Sequence, residues 1–206
     1  MVKVKICGVT NLKDALKVQE YGADLIGFVF FRNSPRRIEA RAAKNIIDNL
    51  SSDILKVGLF LDEDARVVKS TAEECGLDAL QLHGNEDVAY CEHLKGKYKI
   101  IKSFKVKGED SIKNVNVFNN VDYYLFDTYL KGMPGGTGIA FEWSVLKGKT
   151  FKKPFFLAGG LNPGNVKKAI TEVCPYCVDV ASGVEKIPGK KDYKLIKEFI
   201  TNAKNA

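Results

Sequence analysis

Gly22-Ala23-Asp24-Leu25-Ile26-Gly27 and Gly76-Leu77-Asp78-Ala79-Leu80-Gln81 echo each other within one chain of 206 residues. Each reads as a helix stop, a short turn and the start of a strand. Glycine closes a helix because it enters the left-handed conformation without a steric penalty. Working outward, short apolar runs recur at 2–7, 24–30, 54–61, 78–82, 98–104, 122–127, 154–159 and 177–182. Many are rich in Val, Ile, Leu and Phe on both faces, as strands covered on both sides must be.

The intervening stretches carry helix signals. Asn11 precedes Leu12, Ala15, Leu16 and Val18 at helical spacing, and residues 39–50 hold Ala42, Ala43, Ile46, Ile47 and Leu50. Asp62 is read as the cap of a helix bearing Ala65, Val68 and Ala72 that stops at Gly76. Asn162-Pro163 opens a further helix, with proline at the favoured first position. Asp192 opens the last, with Leu195, Ile196, Phe199 and Ile200. The stretch 108–120 is polar and Asn-rich, the weakest helix of the set. Eight strand–helix units with short links predict a compact α/β (β/α)8 barrel, one domain over 1–206. An open doubly wound sheet fits less well, because the runs number eight and no dinucleotide fingerprint follows the first.

No apolar run approaches the ~20 residues that span a bilayer, and the N-terminus lacks a signal-peptide pattern. A cytoplasmic protein without membrane partners is expected. Five cysteines, an odd number without framework spacing, read as thiols. The net charge of +7 suits acidic ligands such as phosphates. The lysines are scattered rather than interleaved with aromatics, which argues against a nucleic-acid partner. Two histidines, His83 and His93, make no metal-ligand pattern.

A (β/α)8 barrel places its active site at the C-terminal ends of the strands. Those ends are Cys7, Phe30, Asp62, His83, Phe104, Asp127, Gly159 with Gly160, and Ser182 with Gly183. Alternation sets Cys7 on one face with Lys3 and Lys5, opposite Val4 and Ile6, which suit the helix side. Cys7 then points inward beside a lysine whose charge favours a thiolate. Position alone fits a small buried hydrophobe better. Asp127 follows four apolar residues; a desolvated carboxyl suits a general acid, and equally a cap or loop anchor. The glycine-dense stretch 131–138 suits a lid, a close backbone approach or a plain flexible loop. Small residues at the seventh and eighth strand ends leave room for a phosphate on backbone N–H groups. Arg32, Arg36 and Arg37 follow the second strand, where a guanidinium can take a carboxylate in two parallel bonds. His83 is an acid, a base or a structural donor at the mouth. Cys174-Pro175-Tyr176-Cys177 matches the C-x-x-C thiol pattern, but it follows a helix and opens a strand, the reverse of the redox context.

Taken in order, Lys5-Ile6-Cys7-Gly8, Gly22-Ala23-Asp24, Gly27-Phe28-Val29-Phe30, Ser34-Pro35-Arg36, Gln81-Leu82-His83-Gly84, Phe126-Asp127-Thr128, Gly135-Gly136-Thr137-Gly138, Phe141-Glu142-Trp143, Ala158-Gly159-Gly160-Leu161 and the run from Asp179 to Glu185 closely resemble the phosphoribosylanthranilate isomerase family over essentially the whole chain. The resemblance implies a (β/α)8 barrel that performs an Amadori rearrangement in tryptophan biosynthesis on a small phosphorylated substrate, with no cofactor or metal. It implies Cys7 as general base, Asp127 as general acid and Arg36 as the group holding the substrate carboxylate. It further implies Gly159, Gly160, Ser182 and Gly183 as phosphate-binding, His83 and Asp179 as supporting residues, and a monomer or homodimer. A thiol ionising at or somewhat below ~8.5 is expected for such a base. Some relatives have serine where this chain has Ala181, which removes one hydroxyl donor to the phosphate.

Overall fold

The computed structural model describes residues 1–128 and 143–206; the stretch 131–138 and Phe141-Glu142 lie outside the described residues. Eight strands, β1 (Lys3–Ile6), β2 (Leu25–Val29), β3 (Leu55–Phe60), β4 (Ala79–Leu82), β5 (Lys99–Val106), β6 (Tyr123–Thr128), β7 (Phe155–Leu157) and β8 (Cys177–Val180), close into a parallel barrel in chain order. β8 pairs back onto β1 from Lys3↔Cys177 to Ile6↔Val180. Every predicted run forms a strand. The reason lies in alternation: Ile6, Phe28, Leu80, Phe126 and Val178 point outward into one large cluster with the helices, while Leu25, Val57, Ala79, Ile101, Leu125, Phe156 and Cys177 fill the interior as a second cluster.

The helices are α1 (Leu12–Glu20), α2 (Ala40–Ile47), α3 (Ala65–Cys75), α4 (Val88–Leu94), α5 (Val166–Val173) and α6 (Tyr193–Lys204). Asn11 caps α1 by accepting from the Asp14 amide, and Asp192 caps α6 by accepting from Lys194 and Leu195. Two expected starts are displaced. Asp64, not Asp62, caps α3; Asp62 stands at φ 49° and accepts from the Asn85 amide at 2.6 Å. α5 begins at Val166, because the Asn162 side chain accepts from the Gly164 amide at 2.8 Å and holds Pro163 in a turn. The stretch 108–120 forms only two 3-10 turns, Glu109–Ile112 and Val115–Val117, as its polar composition allows. Cys174 ends α5 exposed at φ 48° and Cys177 opens β8 buried, so the C-x-x-C stretch runs from helix to strand.

The echoed aspartates have one job. Asp24, Asp78 and Asp122 each precede an even strand and accept from an amide of the strand before it: Val4 at 2.9 Å, Lys56 at 2.8 Å and Ile100 at 2.9 Å. They staple the N-terminal rim of the barrel. The opposite end is left to form a mouth.

Candidate active site

At the C-terminal ends of the strands lies a cavity of about 380 Å³. Its lining brings together Cys7, Arg36, His83, Asp127, Gly159, Gly160 and Asp179 from five strand ends and the loop after β2. Ser182 and Gly183 follow Ala181 at the edge of this lining without belonging to it.

The floor is built on Lys5. Its ammonium is fully buried, 3.0 Å from both oxygens of Asp179 and 2.8 Å from Gln81 Oε1. Burial opposes that charge, but Asp179 and the Cys7 thiol outweigh it and hold Lys5 above the usual lysine range. Space for the lysine comes from Gly27 on β2. A Cβ there would stand 2.7 Å from Cys7 Sγ and 3.2 Å from Lys5 Cε.

Burial pushes the Cys7 thiol above its ordinary value of 9.0, and the charges of Lys5 and Lys191 offset only part of that. This corrects the expectation of a thiol at or below the ordinary range. Lys5 does stand beside Cys7, but Asp179 neutralises much of its field, and desolvation prevails.

A second cluster holds the Cys7 backbone. β9 (Glu185–Ile187) and β10 (Lys190–Lys191) form a hairpin after β8. From it Lys191 Nζ donates to the carbonyls of Cys7 at 2.6 Å and Ala181 at 3.2 Å, and to Glu185 at 2.8 Å. Burial lowers the Lys191 ammonium below the usual range despite Glu185. Glu185 also grips Arg36, accepting from Nε at 3.0 Å and from Nη2 at 2.7 Å. Among the described residues no acceptor is bonded to the Nη1 side of the guanidinium. Arg37 pairs with Glu39 on the surface, and Arg32 is exposed. Of the three arginines, only Arg36 lines the cavity.

Asp127 is held between two donors. Its Oδ1 accepts from the Thr128 amide at 2.8 Å, and its Oδ2 lies 3.2 Å from His83 Nε2. Gly159, at φ +84°, makes this possible: a Cβ there would stand 2.2 Å from Thr128 Oγ1 and 2.8 Å from Asp127 Oδ1. Gly183 is a glycine for a different reason, since a Cβ would lie 1.9 Å from the Leu161 carbonyl oxygen, where the two neighbouring turns touch. The amides of Gly160, Ser182 and Gly183 donate to no backbone acceptor among the described residues.

Gln81 and Glu185 stand in the quoted motifs without an assigned role, and Lys191 lies outside them; all three are neighbours of the candidate site. Gln81 was legible in principle, because a polar residue at an inward barrel position requires a partner. Glu185 and Lys191 depend on a hairpin whose Pro188-Gly189 turn, with Gly189 at φ 79°, is a turn signal in the sequence to which the motif reading gives no part in the site.

A closed parallel barrel with a thiol, a carboxyl–imidazole pair and a guanidinium around one mouth, beside amides that find no backbone acceptor among the described residues, defines a (β/α)8-barrel enzyme. A family model for N-(5′-phosphoribosyl)anthranilate (PRA) isomerase matches residues 4–202, and the chain belongs to that family. A curated relative from Geobacter sp. (strain M21), N-(5′-phosphoribosyl)anthranilate isomerase, is 45% identical over 204 residues, covering 99% of this chain and 98% of its own. The crystal structure of phosphoribosyl anthranilate isomerase from Thermotoga maritima superposes with a TM-score of 0.94 at 40% identity, covering 100% of both chains. A solved complex of such an isomerase with reduced 1-(o-carboxyphenylamino)-1-deoxyribulose 5-phosphate superposes at 0.91, with 39% identity and full coverage of both chains.

Proposed function

We propose that this isomerase converts N-(5-phosphoribosyl)anthranilate to 1-(2-carboxyphenylamino)-1-deoxyribulose 5-phosphate for tryptophan biosynthesis, by general acid/base catalysis from Asp127 and Cys7, with the 206 residues acting as one catalytic barrel. The observation that carries the mechanism is the meeting of these two groups on one cavity. Asp127, protonated, donates to the furanose ring oxygen; the C1′–O bond breaks and the amine nitrogen supplies the electrons of an iminium. Cys7, as thiolate, takes the C2′ proton, and the electrons of that bond neutralise the iminium to give an enolamine. Return of the proton from Cys7 to C1′, with loss of the C2′ hydroxyl proton to the Asp127 carboxylate, completes the ketone and restores both groups. No electrons leave the substrate, so the chemistry needs no redox cofactor.

The raised thiol sharpens this mechanism. Only a minor fraction is ionised at neutral pH, but a thiolate whose conjugate acid lies above 9.0 is the stronger base. The adjacent iminium acidifies the C2′ proton it must remove. Arg36 offers its Nη1 edge to the anthranilate carboxylate. The amides of Gly160, Ser182 and Gly183, with Gly159 clearing the way, suit the phosphate. The solved relative that holds a carboxyphenyl 5-phosphate ligand supports the same pairing of anions. A cytoplasmic setting fits this role; no helix among the described residues is long and apolar enough to cross a membrane.

The test is to add purified protein to N-(5-phosphoribosyl)anthranilate and follow loss of its fluorescence, with the product identified by NMR. Rapid conversion to the ketone is expected. Persistence of the substrate in the presence of folded protein would reject the activity.

A further inference from the structure

We propose that Lys5, acting through Gln81, fixes the tautomer of His83 and so aims a proton donor at Asp127. A buried chain of side chains crosses the barrel floor between the two catalytic groups. An ammonium only donates, so the Gln81 atom 2.8 Å from Lys5 Nζ is its carbonyl oxygen. The other end of the same amide is then NH2, and it lies 3.1 Å from His83 Nδ1. A nitrogen facing an amide donor must present a lone pair. His83 therefore carries its proton on Nε2, 3.2 Å from Asp127 Oδ2. Ser103 Oγ also lies 2.9 Å from Nδ1, but a hydroxyl rotates to either role and does not decide the tautomer. Gln81 decides it, because Lys5 prevents the amide from flipping.

This arrangement bears on the acid step. A second proton on the His83–Asp127 pair has two places to go. The Gln81 NH2 opposes a proton on Nδ1, which favours the Asp127 carboxyl on the cavity wall. Lys5 and Gln81 are thus positioning residues, and His83 is the donor that orients the acid. Lys5 is held in turn by Asp179, which gives that carboxylate a supporting role at a distance from Asp127.

The consequence for catalysis rests on the acid role given to Asp127, but the tautomer does not, and it is measured without substrate. Nitrogen-15 NMR of the His83 ring in the wild-type protein at neutral pH should show protonated Nε2 and bare Nδ1. A proton on Nδ1 would overturn the proposal. Gln81→Glu places an acceptor against Nδ1 and should draw a proton onto it. The same variant should lower kcat by about 10- to 100-fold, as loss of an orienting partner typically does, with KM little changed. An unchanged ring spectrum or unchanged kcat in folded Gln81→Glu protein would also overturn it. If the wild-type protein fails to turn over substrate while the ring shows the expected tautomer, the functional reading fails and the network stands.

Discussion

The two ends of this barrel use the same residue types to opposite purpose. At the N-terminal rim, Asp24, Asp78 and Asp122 each take a strand amide, and Lys3 and Lys99 reach over from half-exposed positions to Asp24 and Asp122. At the mouth, Lys5 with Asp179, Lys102 with Glu86 and Lys191 with Glu185 are all buried. Exposed pairs are worth ~0–1 kcal/mol, so at the rim it is the satisfied amide that matters. Buried pairs cost several kcal/mol of desolvation and are weak evidence of stabilisation. Their concentration at one end shows where fixed position is worth that cost. Lys102, for example, also binds the Gly84 carbonyl at 2.8 Å, while Glu86 accepts from the amides of Asp62 and Gly84. That pair sets the turn immediately after His83.

The contrast can be broken in order of expected effect. Asp127→Asn keeps the shape of the mouth but cannot deliver a proton, so kcat should fall by roughly 10²–10⁴-fold in protein that remains folded. Wild-type kcat in that variant would remove Asp127 from the mechanism. Arg36→Ala should raise KM about 10- to 100-fold through loss of a charged hydrogen bond, while Glu185 keeps its bond to Lys191. A fall in kcat with KM intact would show that the guanidinium serves the reacting centre instead of the carboxylate.

At the rim the effects should reverse. Asp24→Ala strands the Val4 amide and frees Lys3 and Lys204, and should cost ~1–3 kcal/mol in denaturant unfolding with kcat/KM unchanged. Burial opposes ionisation of Asp24, but Lys204, Lys3 and the Val4 amide prevail and hold it below the usual carboxylate range. Its stabilisation is therefore present above the ordinary carboxylate range and lost as pH falls from there through the lowered value of the folded state. An activity loss in Asp24→Ala at a temperature where it remains folded would blur the division between the two ends.

The smallest effect concerns the thiol. With its ionisation raised above 9.0, Cys7 should be alkylated by iodoacetamide at a rate that still climbs as pH passes 9.0, measured in a Cys174→Ser background that removes the exposed thiol. A plateau near neutrality would mean that Lys5 outweighs burial after all.

Much of this was legible in the chain. All eight strands announced themselves because each is buried on both faces, and the echo of Gly22–Gly27 at Gly76–Gln81 marks a rim device that recurs at Asp122. Strand ends then gave Cys7, His83 and Asp127 with no side-chain geometry at all. Two features were not legible. The start of α3 turns on the Asp64 cap of the Arg66 amide, and that of α5 on the Asn162 side chain holding the Gly164 amide in a turn, each in competition with an equally good cap nearby. The raised Cys7 thiol depends first on burial in the closed barrel and then on Asp179, more than a hundred residues away, taking up the charge of Lys5; adjacency in sequence shows only the lysine.

The central claim is that Cys7 acts as the base at the mouth and not as a filler of the core. Cys7→Ala should be measured for kcat/KM on N-(5-phosphoribosyl)anthranilate and for melting temperature in the same preparation. A loss of roughly 10²–10⁴-fold in rate with melting close to wild type is expected. Wild-type turnover in this variant, whatever its stability, would contradict it.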